Sequence, residues 1–338
     1  MSYRFAIIGC GHIAQRHAHL ASRYGELVAV CDSNEERARE MGLSFGASVY
    51  TDSGLMLRRE KIDIACICSP NGWHDVHSIE ALNSGAHVLC EKPMALTVEK
   101  GKAMLDRANA TGKKLFVVKQ NRFNPPVALL KNMLLKGELG KILGFQVNCF
   151  WNRDNSYYQN PWKGTLQWDG GTLFTQFSHF IDLIHWFFGD LGKAIGYREN
   201  TLHQGVIEFE DQGAVLLEME SGVKGTLHYS INAHKKNMEG SCTVFGDQGT
   251  CKIGGPYLNR IDHFEVEHRT TPLLEPAPGP NQYGTYEGSM SNHDKVYEQL
   301  IRELNDKEDK LVDAAEALKT ITMIEKIYAA SPMGSLHP

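Results

Sequence analysis

The chain has 338 residues, 42% hydrophobic and 22% charged, with 35 Lys+Arg against 40 Asp+Glu for a net charge of −5. This length predicts two domains and a core that needs neither disulfide nor metal. The mild acidic balance excludes a bulk polyanion-binding surface and argues against a nucleic-acid role. No apolar run reaches the ~18 residues of a membrane span, so no membrane partner is expected.

In the first 120 residues, short apolar runs alternate with helical segments. Phe5-Ala6-Ile7-Ile8 precedes a helix over Ile13–Tyr24. Leu27–Cys31 precedes a helix over Glu35–Phe45. Asp63–Cys68 and Ala86–Cys90 repeat the run, Val98–Ala110 reads as helix, and Leu115–Val118 closes the series. Runs without alternation, separated by helices, predict a parallel sheet buried on both faces. From Pro125 and Pro126 the pattern changes to a helix through Leu135 and then to longer, more polar strands. Over Gly213–Ile231 a hairpin turns at Ser221–Gly225, and Leu227, Tyr229 and Ile231 alternate with Thr226, His228 and Ser230. That period of two predicts a sheet with one face in the core and one face open. Thr271–Ser291 is rich in Pro and Gly and reads as a long loop. Asp294–Leu304 and Ala314–Ala330 read as helices. The expected architecture is α/β: a doubly wound parallel sheet over 1–122, an α+β domain with an open, mostly antiparallel sheet over 123–330, and a tail over 331–338.

The eight cysteines, Cys10, Cys31, Cys66, Cys68, Cys90, Cys149, Cys242 and Cys251, form no C-x-x-C pair and no zinc-type spacing with histidine. The five in the first 90 residues lie in short apolar runs and read as small buried hydrophobes, and no disulfide framework and no metal are expected. No secretory leader is expected at the N-terminus, which together with the cysteines predicts a cytoplasmic protein.

Gly9-Cys10-Gly11-His12-Ile13-Ala14 matches G-x-G-x-x-A between a strand and a helix. Gly9 permits the turn, Gly11 admits a pyrophosphate, and Ala14 lets helix and strand pack closely. The N–H groups of the helix N-terminus, at His12 and Ile13, would face the phosphates. Asp32 ends the next strand, where a carboxylate accepts hydrogen bonds from ribose hydroxyls and repels a 2′-phosphate. Ser33 and Asn34 follow it rather than an Arg, which favours NAD over NADP.

Glu91-Lys92-Pro93 follows the Ala86–Cys90 run. With the glycine loop, it resembles the Gfo/Idh/MocA family of nicotinamide-dependent sugar oxidoreductases, along the whole chain. The resemblance implies NAD as cofactor, with Ser69, Asn71, His74, Glu91, Lys92 and Gln120 joining the glycine loop and Asp32 around it. Lys92 matches the family's catalytic lysine. Asp169-Gly170-Gly171 through His179-Phe180-Ile181-Asp182 matches a stretch that lines the family's active site. A helical wheel places Phe177, Ile181, Ile184 and Phe188 on an apolar stripe, with Thr175, His179, Asp182 and Trp186 opposite. Asp182, three residues after His179, is expected to orient its imidazole. Many family members carry Asp four residues before the His; Thr175 stands there in this chain, which argues against the inositol-type Lys-Asp-His trio.

The stretches Lys119–Pro126, Trp151–Tyr158, Trp162–Thr165, Lys236–Ser241, Asn259–Ile261 and Tyr283–Ser289 resemble a family branch acting on nucleotide sugars. That branch oxidises the 3-hydroxyl of UDP-N-acetylglucosaminuronic acid on the way to bacterial surface polysaccharides such as the lipopolysaccharide O-antigen. A uronate and a pyrophosphate need fixed cations and amides. Candidates are Arg122, Asn124, Arg153, Tyr157, Lys163, Thr175, His179, Lys236 and Arg260, with Lys163 for the uronate. The resemblance further implies recycling of the nicotinamide by a 2-oxo acid such as 2-oxoglutarate, and a homo-oligomer, a tetramer. The alternatives are a dehydrogenase of a free sugar or cyclitol and, in a different class, a non-catalytic NAD-binding regulator.

Overall fold

The computed structural model describes residues 2–275, 279–282, 287–305 and 311–334. The chain divides into two compact units, Met1–Lys119 with His293–Ile321, and Gln120–Asn292 with Thr322–Pro338.

The first unit holds six strands: β1 (Tyr3–Ile8), β2 (Gly25–Cys31), β3 (Ser48–Tyr50), β4 (Ile64–Ile67), β5 (His87–Cys90) and β6 (Leu115–Val117). All pair in parallel in the order β3-β2-β1-β4-β5-β6. Its helices are α1 (His12–Tyr24), α2 (Glu35–Phe45), α3 (Ser53–Arg59), α4 (His74–Asn83) and α5 (Val98–Thr111). Phe5, Ile7, Ile64, Ile67 and Val88 are fully buried, as strands covered on both faces must be. The order reverses between β1 and β4, and ligands of such sheets bind at this switch point, beyond the carboxyl ends of the strands. The Asn34 side chain caps α2 by accepting the Arg37 N–H, and Gly46, at φ +68°, ends that helix in the left-handed region.

The second unit opens with α6 (Pro125–Leu135), whose prolines sit in its first turn, where no intrahelical donor is lost. Seven strands follow: β7 (Ile142–Phe150), β8 (Leu191–Glu199), β9 (Gln212–Met219), β10 (Lys224–Ser230), β11 (Glu239–Gly246), β12 (Gly249–Gly254) and β13 (Arg260–Val266). Their order is β13-β12-β11-β7-β10-β9-β8, antiparallel except for the β7–β10 pair. Leu227, Tyr229 and Ile231 are fully buried while His228 faces out, as the alternation requires. Between β7 and β8 lie α7 (Thr172–Thr175) and α8 (Ser178–Phe188). Phe188 stacks on Phe145 at 4.2 Å between ring centres, and Phe177 meets Tyr229 edge-on, which seats α8 on the inner face of the sheet.

A two-stranded ribbon, β14 (Pro280–Gln282) and β15 (Glu287–Met290), crosses the stretch read from sequence as a loop. Gly288, Ser289 and Met290 are buried in it. Pro276, Pro278, Tyr283, Gly284 and Tyr286 lie outside the described residues. The chain ends with α9 (His293–Leu304) and α10 (Ala314–Ala330); the division between units falls within α10. Tyr297 of α9 is fully buried, 5.8 Å ring to ring from Phe5 of β1.

Candidate functional site

In the first unit, chemistry gathers beyond the carboxyl ends of β1, β2, β4 and β5. Gly9 has φ +94°, and a Cβ there would stand 2.5 Å from the Ser69 nitrogen, so only glycine fits. A Cβ on Gly11 would meet nothing within 4 Å, leaving open space over the start of α1. That helix has no side-chain cap and no acidic residue in its first turn. Its N-terminal N–H groups, His12 and Ile13 among them, are therefore suited to a diphosphate. Asp32 is half-buried at the end of β2, its Oδ2 accepting the Cys10 N–H at 2.7 Å and its Oδ1 the Asn34 N–H at 2.8 Å. The α2 cap is Asn34, so Asp32 is not spent on it, and each of its oxygens keeps a lone pair for a ribose hydroxyl. The loop, the bare helix end and the carboxylate fit a dinucleotide.

Ser69, Asn71 and His74 follow β4 and are buried. The His74 imidazole bridges two loops, with Nδ1 2.7 Å from the Pro93 carbonyl and Nε2 2.8 Å from that of Ser69. Burial pushes its pKa down, although both carbonyls favour the charged ring. Glu91 and Lys92 follow β5. The Glu91 carboxylate is 2.9 Å from His17 Nε2 and 3.1 Å from His293 Nε2, and its Oε2 accepts the Lys92 N–H at 3.1 Å. Burial alone would raise the Glu91 carboxyl, but hydrogen bonds from His17 and His293 hold it well below the usual carboxylate range. Sequence reasoning missed both histidines; they lie 74 and 202 positions from Glu91, and no spacing rule connects them.

In the second unit, Gln120 follows β6 and is buried; its Nε2 donates to Ser289 Oγ at 2.8 Å and lies 3.3 Å from His179 Nε2. His179 is buried near the start of α8. The continuous helix expected over Thr175 to Trp186 is broken at Gln176–Phe177, so Thr175 ends α7 while His179 belongs to α8. Asp182 makes a bidentate pair with Arg122, at 2.8 Å and 2.9 Å, with both groups buried. The guanidinium also lies 4.8 Å over the Trp186 ring. The Arg122 charge is thus balanced by Asp182. Asn124 is fully buried, donating to the carbonyls of Tyr257 and Leu258 and accepting from Asn292, so its hydrogen bonds are spent on the fold.

Arg153 is buried, donating to Gln176 Oε1 at 2.8 Å and Asn237 Oδ1 at 3.1 Å, with its guanidinium over Trp151 and Tyr157. Gln176 Nε2 donates to the Tyr157 hydroxyl at 2.8 Å, and Lys163 Nζ sits 3.4 Å over the Tyr157 ring. Burial pushes the Lys163 ammonium down to about 8; Asp169 opposes the shift and Arg153 adds to it. Gln176 was not singled out from sequence; its place within the glycine–histidine stretch was the available signal. Lys236 and Arg260 are exposed, with Arg260 paired to Asp262 at 2.6 Å. A cleft of about 430 Å³ beside Arg153 is lined by Asn152–Ser156 and Ile231–Lys235, without His179 or Lys163.

Residues 3–119 match the oxidoreductase family with an NAD-binding Rossmann fold, and residues 127–252 match the GFO/IDH/MocA C-terminal domain. The WlbA dehydrogenase from Bordetella pertussis, solved with NADH and UDP-GlcNAcA, superposes with a TM-score of 0.88 at 31% identity. That match covers 98% of this chain and 97% of the other. Glucose-6-phosphate 3-dehydrogenase of Bacillus subtilis is 30% identical over 296 residues, 83% of each chain. D-glucoside 3-dehydrogenase of Escherichia coli is 41% identical over 143 residues, a match that spans only 41% of each chain. The α/β architecture, the NAD-binding loop and these likenesses agree: the chain belongs to the Gfo/Idh/MocA family of oxidoreductases, as an NAD-dependent sugar dehydrogenase.

Proposed function

We propose that the chain oxidises the sugar 3-hydroxyl of UDP-N-acetylglucosaminuronic acid to the 3-keto sugar. The observation that carries this reading is the full-length likeness to a dehydrogenase solved with NADH and UDP-GlcNAcA. Oxidation at position 3 is supported by two further relatives named as 3-dehydrogenases. Bound NAD supplies the hydride acceptor. Lys92 is the group that takes the hydroxyl proton, with the buried imidazole of His179 as the second polar group of the reaction. Asp182 holds Arg122 in a bidentate pair and is the candidate to orient His179. Gly9, Gly11, His12, Ile13, Asp32, Ser69, Asn71 and Gln120 serve the cofactor. Lys163 and Arg153, with Tyr157 between them, supply the positive charge that a uronate or a diphosphate requires.

The second reading, oxidation of a free glucoside at the same position, is favoured by the 41% identity with D-glucoside 3-dehydrogenase. A substrate panel separates the two. UDP-N-acetylglucosaminuronic acid, methyl glucoside, glucose 6-phosphate and myo-inositol are each mixed with NAD, with and without 2-oxoglutarate. The proposal expects turnover of the nucleotide sugar, and 2-hydroxyglutarate wherever a 2-oxo acid recycles the cofactor. Turnover of methyl glucoside alone would replace it with the second reading. We place the reaction in the cytoplasm, in the supply of sugars for surface polysaccharide. All eight cysteines, buried as free thiols, support that compartment. No described helix is long and apolar enough to cross a membrane.

A further inference from the structure

We propose that Glu91 is a positioning residue for Lys92, locked in place by His17 and His293, two histidines drawn from opposite ends of the chain. The inference rests on Lys92 being the proton-transfer group.

His17, Glu91 and His293 bring one ligand-type atom each within 4.8 Å of one another, all three buried. Such a trio could hold a metal or could be a closed hydrogen-bond network, and the distances choose the network. Both Nε2 atoms lie at hydrogen-bond length from the same Glu91 oxygen, at 2.9 and 3.1 Å. His17 Nδ1 is 2.8 Å from the Tyr297 hydroxyl, and because an ionised carboxylate only accepts, His17 Nε2 is the nitrogen that donates to Glu91. Tyr297 in turn lies 3.2 Å from the Cys66 thiol. One carboxylate oxygen is thus saturated by two imidazole donors.

The other Glu91 oxygen accepts the backbone N–H of Lys92. The peptide before Lys92 is therefore tied to α1 and α9 through the two imidazoles, while His74 holds the Pro93 carbonyl on the far side. Lys92 is fixed by its neighbours from both directions. A lysine side chain has four rotatable bonds, so the direction of its amine depends first on how firmly its backbone is held. The ionised state of Glu91 suits this role, because charge-assisted hydrogen bonds are the stronger kind.

The test is Glu91→Gln in the full chain. The amide keeps the shape but turns an NH₂ group toward an N–H donor, so one contact must open. Hydrogen–deuterium exchange over residues 88–95 needs no substrate and is expected to accelerate; unchanged exchange would overturn the inference. With UDP-N-acetylglucosaminuronic acid and NAD, kcat is expected to fall by about 100-fold, the effect of roughly 1 Å of misplacement. In a Lys92→Ala background the same substitution should change the residual rate no further, as befits a residue acting through another. An equal loss in both backgrounds would reduce Glu91 to a structural group. Full activity in Lys92→Ala alone would instead remove the reading of Lys92. His293→Gln deletes one donor, keeps the carboxylate, and should show smaller effects of the same sign; it decides the matter where the Glu91 variant does not fold. Stoichiometric zinc in the purified protein would overturn the network outright.

Discussion

Lys163 carries the sharpest residue-scale consequence. Its ammonium lies over the Tyr157 ring and is pushed down to about 8 by burial. A lysine with a lowered pKa is a full cation below that value and loses its charge as pH rises through it. If Lys163 holds the uronate, KM for UDP-N-acetylglucosaminuronic acid rises as pH passes about 8. Lys163→Met should raise KM by about 10–100-fold at neutral pH, the equivalent of roughly 1.5–3 kcal/mol for a charged hydrogen bond, and flatten that rise. Initial-rate profiles between neutral and mildly alkaline pH check both. A Lys163→Met enzyme with the wild-type KM profile would move the uronate elsewhere.

At the scale of elements, the break between α7 and α8 explains why part of the site was legible in the sequence and part was not. The glycine loop and Asp32 were readable because a strand, a turn and a helix in succession fix their geometry locally. Gly9, Gly11 and Asp32 all stand where that rule puts them. The periodic helices were readable for the same reason, and α2 and α6 run over the residues expected. The elements β3, α3 and α4 were missed; β3 is three residues long, too few to show a period. The wheel over 175–188 assumed one unbroken helix, and the kink at Gln176–Phe177 moved Thr175 off it. The partner of Asp182 was out of reach altogether, since Arg122 lies 60 positions away and is brought there by tertiary packing. That pair sets a stability prediction. Asp182→Asn leaves a buried guanidinium without its counter-charge, which costs about 3–5 kcal/mol. Thermal unfolding should show a clear drop in Tm; an unchanged Tm would mean that the pair is not closed in solution.

At the scale of the molecule, the outer face of the seven-stranded sheet stands out. Ile195 and Leu216 pair directly across β8 and β9 and are 72% and 61% exposed. Tyr197 and Phe245 lie on the same face and are also exposed. An open sheet face of this kind favours association. We propose that a second copy of the chain covers it, within the homo-oligomer that the resemblance implies. Leu216→Glu with Ile195→Glu should shift the protein toward monomer in light scattering, and an unaltered mass would place the contact elsewhere. The measurement that tests this account most directly uses UDP-N-acetylglucosaminuronic acid deuterated at C3, incubated with the enzyme and NAD. The account predicts loss of deuterium from the sugar, its appearance in NADH or in 2-hydroxyglutarate, and a 3-keto product. Deuterium retained at C3 after turnover would contradict it.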